Sequence, residues 1–169
     1  MDNNQFLDID LKKYTRDAQT PRVREDGKTS NIFAAEDVFI APNETVAVST
    51  GLGFIFPDDV GLMFFSPSEL SSKAFLRFIN NVFVLENNYY HQDEVKIYLQ
   101  NTYSINKDSP KTTKYRLIDG TIISDSNNLY EKGTVKICKG DCIAWMMPVD
   151  AAYSNKDEIP KEPIKKNKQ

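Results

Sequence analysis

Short stretches in which apolar and polar residues alternate recur along this chain, each closed by a turn signal. A period of two is the mark of a half-buried strand. Val38-Phe39-Ile40 runs into the turn Pro42-Asn43-Glu44, and Thr45-Val46-Ala47-Val48 follows with Val46 and Val48 on one face. Gly53-Phe54-Ile55-Phe56 leads into Pro57-Asp58-Asp59, and then come Val60 to Phe65 and Val82 to Leu85. In Glu94 to Gln100, Val95, Ile97 and Leu99 point inward and Lys96, Tyr98 and Gln100 outward. Thr134 to Ile137 and Ile143 to Met146 flank the polar turn Lys139-Gly140-Asp141, which predicts a hairpin. Strands this short, with turns about every ten residues, predict an antiparallel sandwich or barrel. One helix interrupts them. Ser68 is the candidate cap of a segment through Phe78, with Leu70, Ala74 and Phe78 at helical spacing.

Residues 102–130 form a long polar excursion. Within it, Tyr115 to Ile118 and Thr121 to Ile123 flank Asp119-Gly120, which predicts an added β-hairpin projecting from the main body. From Ser154 to Gln169 the pattern stops: two prolines, five lysines and three acidic residues accompany only Ile159 and Ile164. Such a segment lacks the apolar surface to fold alone. The expected organisation is one domain over residues 1–153 and a Pro/Lys-rich tail over 154–169.

Composition narrows the functional classes. Ten Phe and eight Tyr favour strands. The net charge is −3; the tail carries +2 of it, which leaves −5 on residues 1–153. That balance argues against binding duplex nucleic acid, which needs a basic face to displace phosphate counterions. No apolar run is long enough to span a bilayer, and Met1-Asp2-Asn3-Asn4-Gln5 lacks the basic-then-apolar pattern of a signal peptide. A cytoplasmic, intracellular setting is therefore expected. The two cysteines, Cys138 and Cys142, lack zinc-knuckle spacing, and the sole histidine, His91, is remote. They read as free thiols in a reducing compartment.

A specific resemblance appears in five segments taken in order. Asp17-Ala18-Gln19-Thr20-Pro21-Arg22 looks like the opening strand of trimeric dUTPases, and Asn31-Ile32-Phe33-Ala34-Ala35 resembles their Asp-Leu-Tyr-Ala-Ala stretch. Ile40 to Glu44 and Ser49 to Leu52 are similar to the next turn and strand. Val60-Gly61-Leu62, then Ser66-Pro67-Ser68-Glu69-Leu70-Ser71-Ser72-Lys73, looks like the phosphate loop Pro-Arg-Ser-Gly-Leu-Ala-x-Lys. Lys139-Gly140-Asp141-Cys142-Ile143-Ala144-Trp145 is similar to Lys-Gly-Asp-Arg-Ile-Ala-Gln. The resemblance covers residues 11–150. It implies an all-β, distorted jelly-roll barrel with one short helix, assembled as a homotrimer with sites between subunits. Met146 and Met147 are candidates to fill the trimer centre or the core.

The resemblance also implies chemistry, and here the residues depart from the family. Hydrolysis of a nucleoside triphosphate needs a metal to clamp phosphates, groups to bear charge and a carboxylate to orient water. Asn31 stands where the family has a metal-associated Asp, and an amide adds no negative charge for a divalent ion. Pro67-Ser68-Glu69 replaces Arg-Ser-Gly, so the cation and one N–H are gone and a carboxylate is added. Ser68, Gly140 and Asp141 remain as phosphate-binding candidates. Where the resemblance implies Gly-x-Ile-Asp-x-Asp-Tyr, the chain reads Val84-Leu85-Glu86-Asn87-Asn88-Tyr89-Tyr90; Glu86 is the candidate for the catalytic Asp, and Tyr89 or Tyr90 for the base-stacking Tyr. The closing glycine-rich arm is absent. Each such loss removes about 2–4 kcal/mol of transition-state stabilisation. The expectation is a non-catalytic trimer with no metal or cofactor. Its expected role is structural or partner-binding, in a viral (phage) assembly or virion component. The tail and the 102–130 hairpin would attach another protein, and Tyr89, Tyr90 and Tyr103 are candidate interface aromatics. The alternatives are a divergent magnesium-dependent dUTP diphosphatase and a nucleotide sensor that binds without cleaving.

Overall fold

A computed structural model describes residues 9–86, 93–106 and 108–150. Among them the elements are β1 (Asp10–Lys13), β2 (Arg22–Val23), β3 (Ser30–Phe33), β4 (Val38–Ile40), β5 (Thr45–Ser49), β6 (Leu52–Ile55) and β7 (Val60–Phe65). Then follow α1 (Ser68–Ala74), β8 (Leu76–Phe78), β9 (Val82–Glu86), β10 (Lys96–Asn101), β11 (Lys114–Leu117), β12 (Ile122–Ser124), β13 (Val135–Ile137) and β14 (Cys142–Asp150). They pair as four sheets, β1-β6, β5-β10-β8, β12-β11-β13-β4 and β2-β3-β14-β7-β9. One core lies between them, with Ile32, Ile40, Leu62, Phe64, Ile97 and Ile143 almost fully shielded from solvent. The all-β expectation is met, and the inward positions of β10 are the predicted ones: Ile97 and Leu99 are buried, Lys96 and Tyr98 exposed.

Three sequence expectations are corrected. The strands flanking Lys139-Gly140-Asp141 do not form a hairpin. β13 pairs with β4 and β11, whereas β14 pairs with β3 and β7, so the turn carries the chain from one sheet to another. Alternation predicts both strands but cannot name their partners. The helix stops at Ala74 rather than Phe78. Phe75 takes the left-handed conformation, φ 57°, and its N–H donates to the Leu70 carbonyl. Phe78 sits at a helical interval from Ala74 and at a strand interval from Leu76. Pairing of β8 with β10 decides for the strand. Ser68 is not the cap; Pro67 holds that position and no side chain caps the helix. Third, the hairpin of β11 and β12 does not project. β11 adds in parallel to β13, and Tyr115 packs edge-on to both Phe39 of β4 and Tyr130, at ring-centroid distances of 5.2 Å.

β14, nine residues long, is the backbone of the five-stranded sheet. Its pairing with β3 ends at Met146, whereas pairing with β7 continues to Asp150. Pro148 therefore lies where one edge of β14 is open, and its missing N–H need not break a ladder bond. Alternation splits the two methionines. Met146 is in the core, and Met147 is half-buried on the outer face with Met63, Phe65, Trp145 and Val149. Val82 and Val84 of β9, 44% and 47% exposed, extend this apolar face. Gly61 lets it close up: a Cβ there would stand 3.2 Å from both Val149 and Val84.

Candidate functional site

The turn between β13 and β14 is the best-defined part of the site. The Asp141 N–H donates to the Cys138 carbonyl over 2.9 Å, and the Asp141 carboxylate accepts from the Cys138 N–H over 2.8 Å. Gly140, at φ 91°, makes the reversal, and a Cβ there would meet the Gln19 amide at 2.9 Å. Its N–H donates to the Ala34 carbonyl over 2.8 Å, and the Ala34 N–H returns a bond to the Asp141 carbonyl over 2.9 Å. The Lys139 N–H donates to the Asp37 carboxylate over 2.7 Å. All three turn amides are thus engaged by protein acceptors. Two ion pairs, Lys136–Asp37 and Lys139–Asp17, each 3.0 Å, brace the outside. The Lys139 amide, followed by Lys136, holds the Asp37 carboxyl below its usual range. Burial moves Asp141 the other way, above the usual carboxylate range, against the Cys138 hydrogen bond.

Beside this turn, a row of residues crosses the five-stranded sheet: Arg22 opposite Asn31, Asn31 opposite Trp145, Trp145 opposite Phe65, and Phe65 opposite Val82. The Arg24 guanidinium lies 3.7 Å from the centroid of the Trp145 ring, and Phe65 meets that ring edge-on at 5.8 Å. Arg24 also donates to the Thr29 hydroxyl over 3.3 Å. A cation is therefore present here, stacked on an aromatic face. Cys142 stands where the resembling segment Lys-Gly-Asp-Arg-Ile-Ala-Gln has its Arg. Burial pushes its thiol up to about 11, so it is neutral and a poor nucleophile at pH 7.

The Ser66 to Lys73 segment is a turn and a short helix. Pro67 is buried, while Ser68 and Glu69 are exposed. The Ser68 hydroxyl donates to the Glu69 carboxylate over 3.2 Å, and the Ser68 carbonyl accepts from the hydroxyls of Ser71 and Ser72. Glu86 is exposed at the far end of β9, opposite Gly61. Ser68 follows the other end of β7, where Phe65 faces Val82. The strand between Gly61 and Phe65 spans about 13 Å. Ser68 and Glu86 thus stand towards opposite ends of β7. Tyr89 and Tyr90 lie outside the described residues. Tyr103 is half-buried, edge-on to Phe75 at 5.2 Å, and covers Gly133, where a Cβ would come within 2.1 Å of it.

A cleft of about 390 Å³ between β8, β9 and the start of β10 was not foreseen from sequence. Phe78, Ile79, Phe83 and Val84 form apolar walls, with Glu94 and Tyr98 among the polar lining. The available signal was the outward Tyr98, 56% exposed, beside Ile79, 49% exposed. Magnesium is the ion that the resemblance implies. Among the described residues no three Asp, Glu, His or Cys side chains gather closely enough to hold a metal by themselves; magnesium held largely by waters and substrate phosphates needs no such cluster. No described helix is long and apolar enough to cross a membrane.

No family model matches the chain, and no curated protein sequence matches it. Solved structures do. A mutant dUTPase from phage phi11 of S. aureus, described with a structural Mg(II) ion, is 24% identical over 84% of this chain and 90% of its own, with a TM-score of 0.75. The dUTPase of Staphylococcus bacteriophage 80alpha is 26% identical over 84% of this chain and 89% of its own, with a TM-score of 0.74. Phage dUTPases are described there as controlling transfer of virulence genes by a G protein-like mechanism. The 80alpha enzyme solved with dUPNHPP is 26% identical over 84% of this chain and 82% of its own, with a TM-score of 0.74.

Proposed function

We infer that this chain, of dUTPase-superfamily fold, is a non-catalytic homotrimer with a structural or partner-binding role. The observation that carries the reading is the closure of the Lys139–Asp141 turn. Its three amides donate to Asp37, Ala34 and Cys138, which leaves a phosphate little to bond there. The exposed Glu69 and the buried Pro67 support the same reading, since a polyanion would meet repulsion and no guanidinium at that loop. The half-open apolar face of Phe65, Trp145, Met147 and Val84 supports self-association, because a face of that kind is normally covered. Both named relatives come from bacteriophages, which supports a viral setting. That phage dUTPases are described as controlling gene transfer supports a partner-binding use of this fold. The 102–130 hairpin is the attachment element within the described residues; the tail, 154–169, lies outside them.

The competing reading is a divergent dUTP diphosphatase. Likeness to an enzyme solved with dUPNHPP favours it, as does the cleft beside β9. On that reading Glu86 of one subunit orients water and Ser68 of another meets phosphate, with magnesium supplying positive charge. Pyrophosphate release from dUTP with magnesium separates the two. The expected result is no turnover above the blank for the native chain. Turnover that Glu86→Gln abolishes would establish the enzyme, and a dUTP-dependent rise in melting temperature without turnover would establish a nucleotide sensor.

A further inference from the structure

A second cavity, of about 410 Å³, lies on the sheet of β11, β12 and β13, away from the turn and row described above. Four cations line it, Lys111, Lys114, Arg116 and Lys132, and no Asp or Glu does. None of the four forms an ion pair with a described acidic side chain; the described pairs involve Arg24, Lys136 and Lys139. Arg116 is a fixed charge. Its guanidinium donates to the Gly120 carbonyl over 3.0 Å and rests 5.3 Å from the centre of the Phe75 ring. The three lysines are exposed on the rim. Gathering four unpaired cations costs self-repulsion, and in a chain of net charge −3 it is a local exception. An anionic occupant would relieve it.

The rest of the lining says which kind. A compact phosphate is usually cradled by free backbone amides. Here the amides of Thr112, Arg116 and Thr134 donate to the carbonyls of Tyr130, Thr134 and Glu131, over 2.8, 2.9 and 3.0 Å. The walls are instead apolar and aromatic, from Tyr103 and Ile122, the latter 49% exposed. Mobile lysines around an apolar floor match spread-out carboxylates on either side of one apolar side chain. We propose that this groove docks an acidic segment of a protein partner, with an aromatic or aliphatic residue seated between Asp and Glu side chains. The proposal rests on the partner-binding reading and names the chemistry of the partner.

The test uses the full chain and a fluorescein-labelled peptide, Glu-Asp-Glu-Phe-Glu-Asp-Glu, followed by fluorescence polarisation. Its neutral counterpart, Gln-Asn-Gln-Phe-Gln-Asn-Gln, is the control. The expected result is saturable binding of the acidic peptide only, weakening steeply with salt. The double variant Lys111→Glu, Lys132→Glu should bind about tenfold less tightly or worse, as each reversed charge opposes the ligand. Lys28→Glu, in the exposed turn between β2 and β3, should bind as the native chain does. Should the double variant fail to fold, Lys114→Gln with Lys132→Gln replaces it, and a loss of affinity is still required. Absence of binding, equal binding of the neutral peptide, or equal loss in Lys28→Glu would overturn the proposal. So would displacement by inorganic triphosphate or oligothymidylate at lower concentration than by unlabelled acidic peptide. Turnover of dUTP is measured separately, so this proposal and the reading beneath it can fail independently.

Discussion

Asp141 and Asp26 show what a carboxylate's surroundings decide. Asp26 sits in an exposed turn, and the Thr29 hydroxyl with the amides of Thr29 and Lys28 holds it at about 2. Asp141 accepts one such bond, from Cys138, but burial outweighs it and raises the group. A folded-state value above the unfolded one favours the protonated folded form. The contribution is therefore full below the ordinary carboxylate range and lost as pH rises through the folded value. Asp141→Asn keeps an oxygen to accept the Cys138 N–H and removes the charge. The variant should melt no lower than the native chain at pH 7, and its advantage should shrink as pH falls through the raised folded value and be gone by about 4, the ordinary carboxylate value. Calorimetry across that range checks this. An advantage that grew on acidification, or a large loss at pH 7, would mean that the carboxylate holds a cation instead. Neither aspartate's environment could be read from sequence, because both belong to polar turns and differ only in what covers them.

Among elements, the junction of two sheets, β5-β10-β8 and β12-β11-β13-β4, rests on one side chain. Asn101, at the end of β10, is fully buried. Its amide donates to the carbonyls of Ile40 and Gly133, each over 2.9 Å, and its side-chain oxygen accepts from the Tyr103 N–H over 2.9 Å. The link joins β10 to β4 and to the turn before β13, where no backbone ladder does so. Asn101→Asp keeps the acceptor, removes both donors and places a buried charge against two carbonyls. It should cost about 3 kcal/mol or more in urea unfolding near neutral pH, recovering in part on acidification. A loss under about 0.5 kcal/mol, the usual scale for surface changes, would contradict the assigned role. Sequence patterning revealed the strand that carries Asn101, since Val95, Ile97 and Leu99 alternate. It gave no hint of the link, because Ile40 and Gly133 are 61 and 32 residues away.

At the scale of the molecule, the outer face of β14, β7 and β9 is the feature that a lone chain leaves unexplained. Phe65, Trp145, Met63 and Met147 are half-buried there, and Val82 and Val84 are exposed. Association through this face fits the homotrimer of the proposed function. Light scattering after size-exclusion chromatography should give three times the chain mass. Val84→Lys should shift the protein towards the monomer while its circular dichroism stays native, since that side chain does not face the core. A native chain that ran as a monomer, or a trimer indifferent to Val84→Lys, would remove this face from the assembly. The outer face was half legible: Met146-Met147 announced one inward and one outward residue. Which was which needed the pairing of β14 with β7.

Taken by itself, the sequence determined the short strands, the turns at Asn43, Gly120 and Gly140, and the presence of one brief helix. Those depend on neighbours within a few residues, through side-chain period and backbone freedom at positive φ. Only the tertiary structure decided that the Lys139–Asp141 turn joins two sheets, that its amides are consumed by Ala34 and Asp37, and that Ser68 and Glu86 stand at opposite ends of β7. Those depend on partners tens of residues away, brought together by burial of the common core, and no local pattern carries that register.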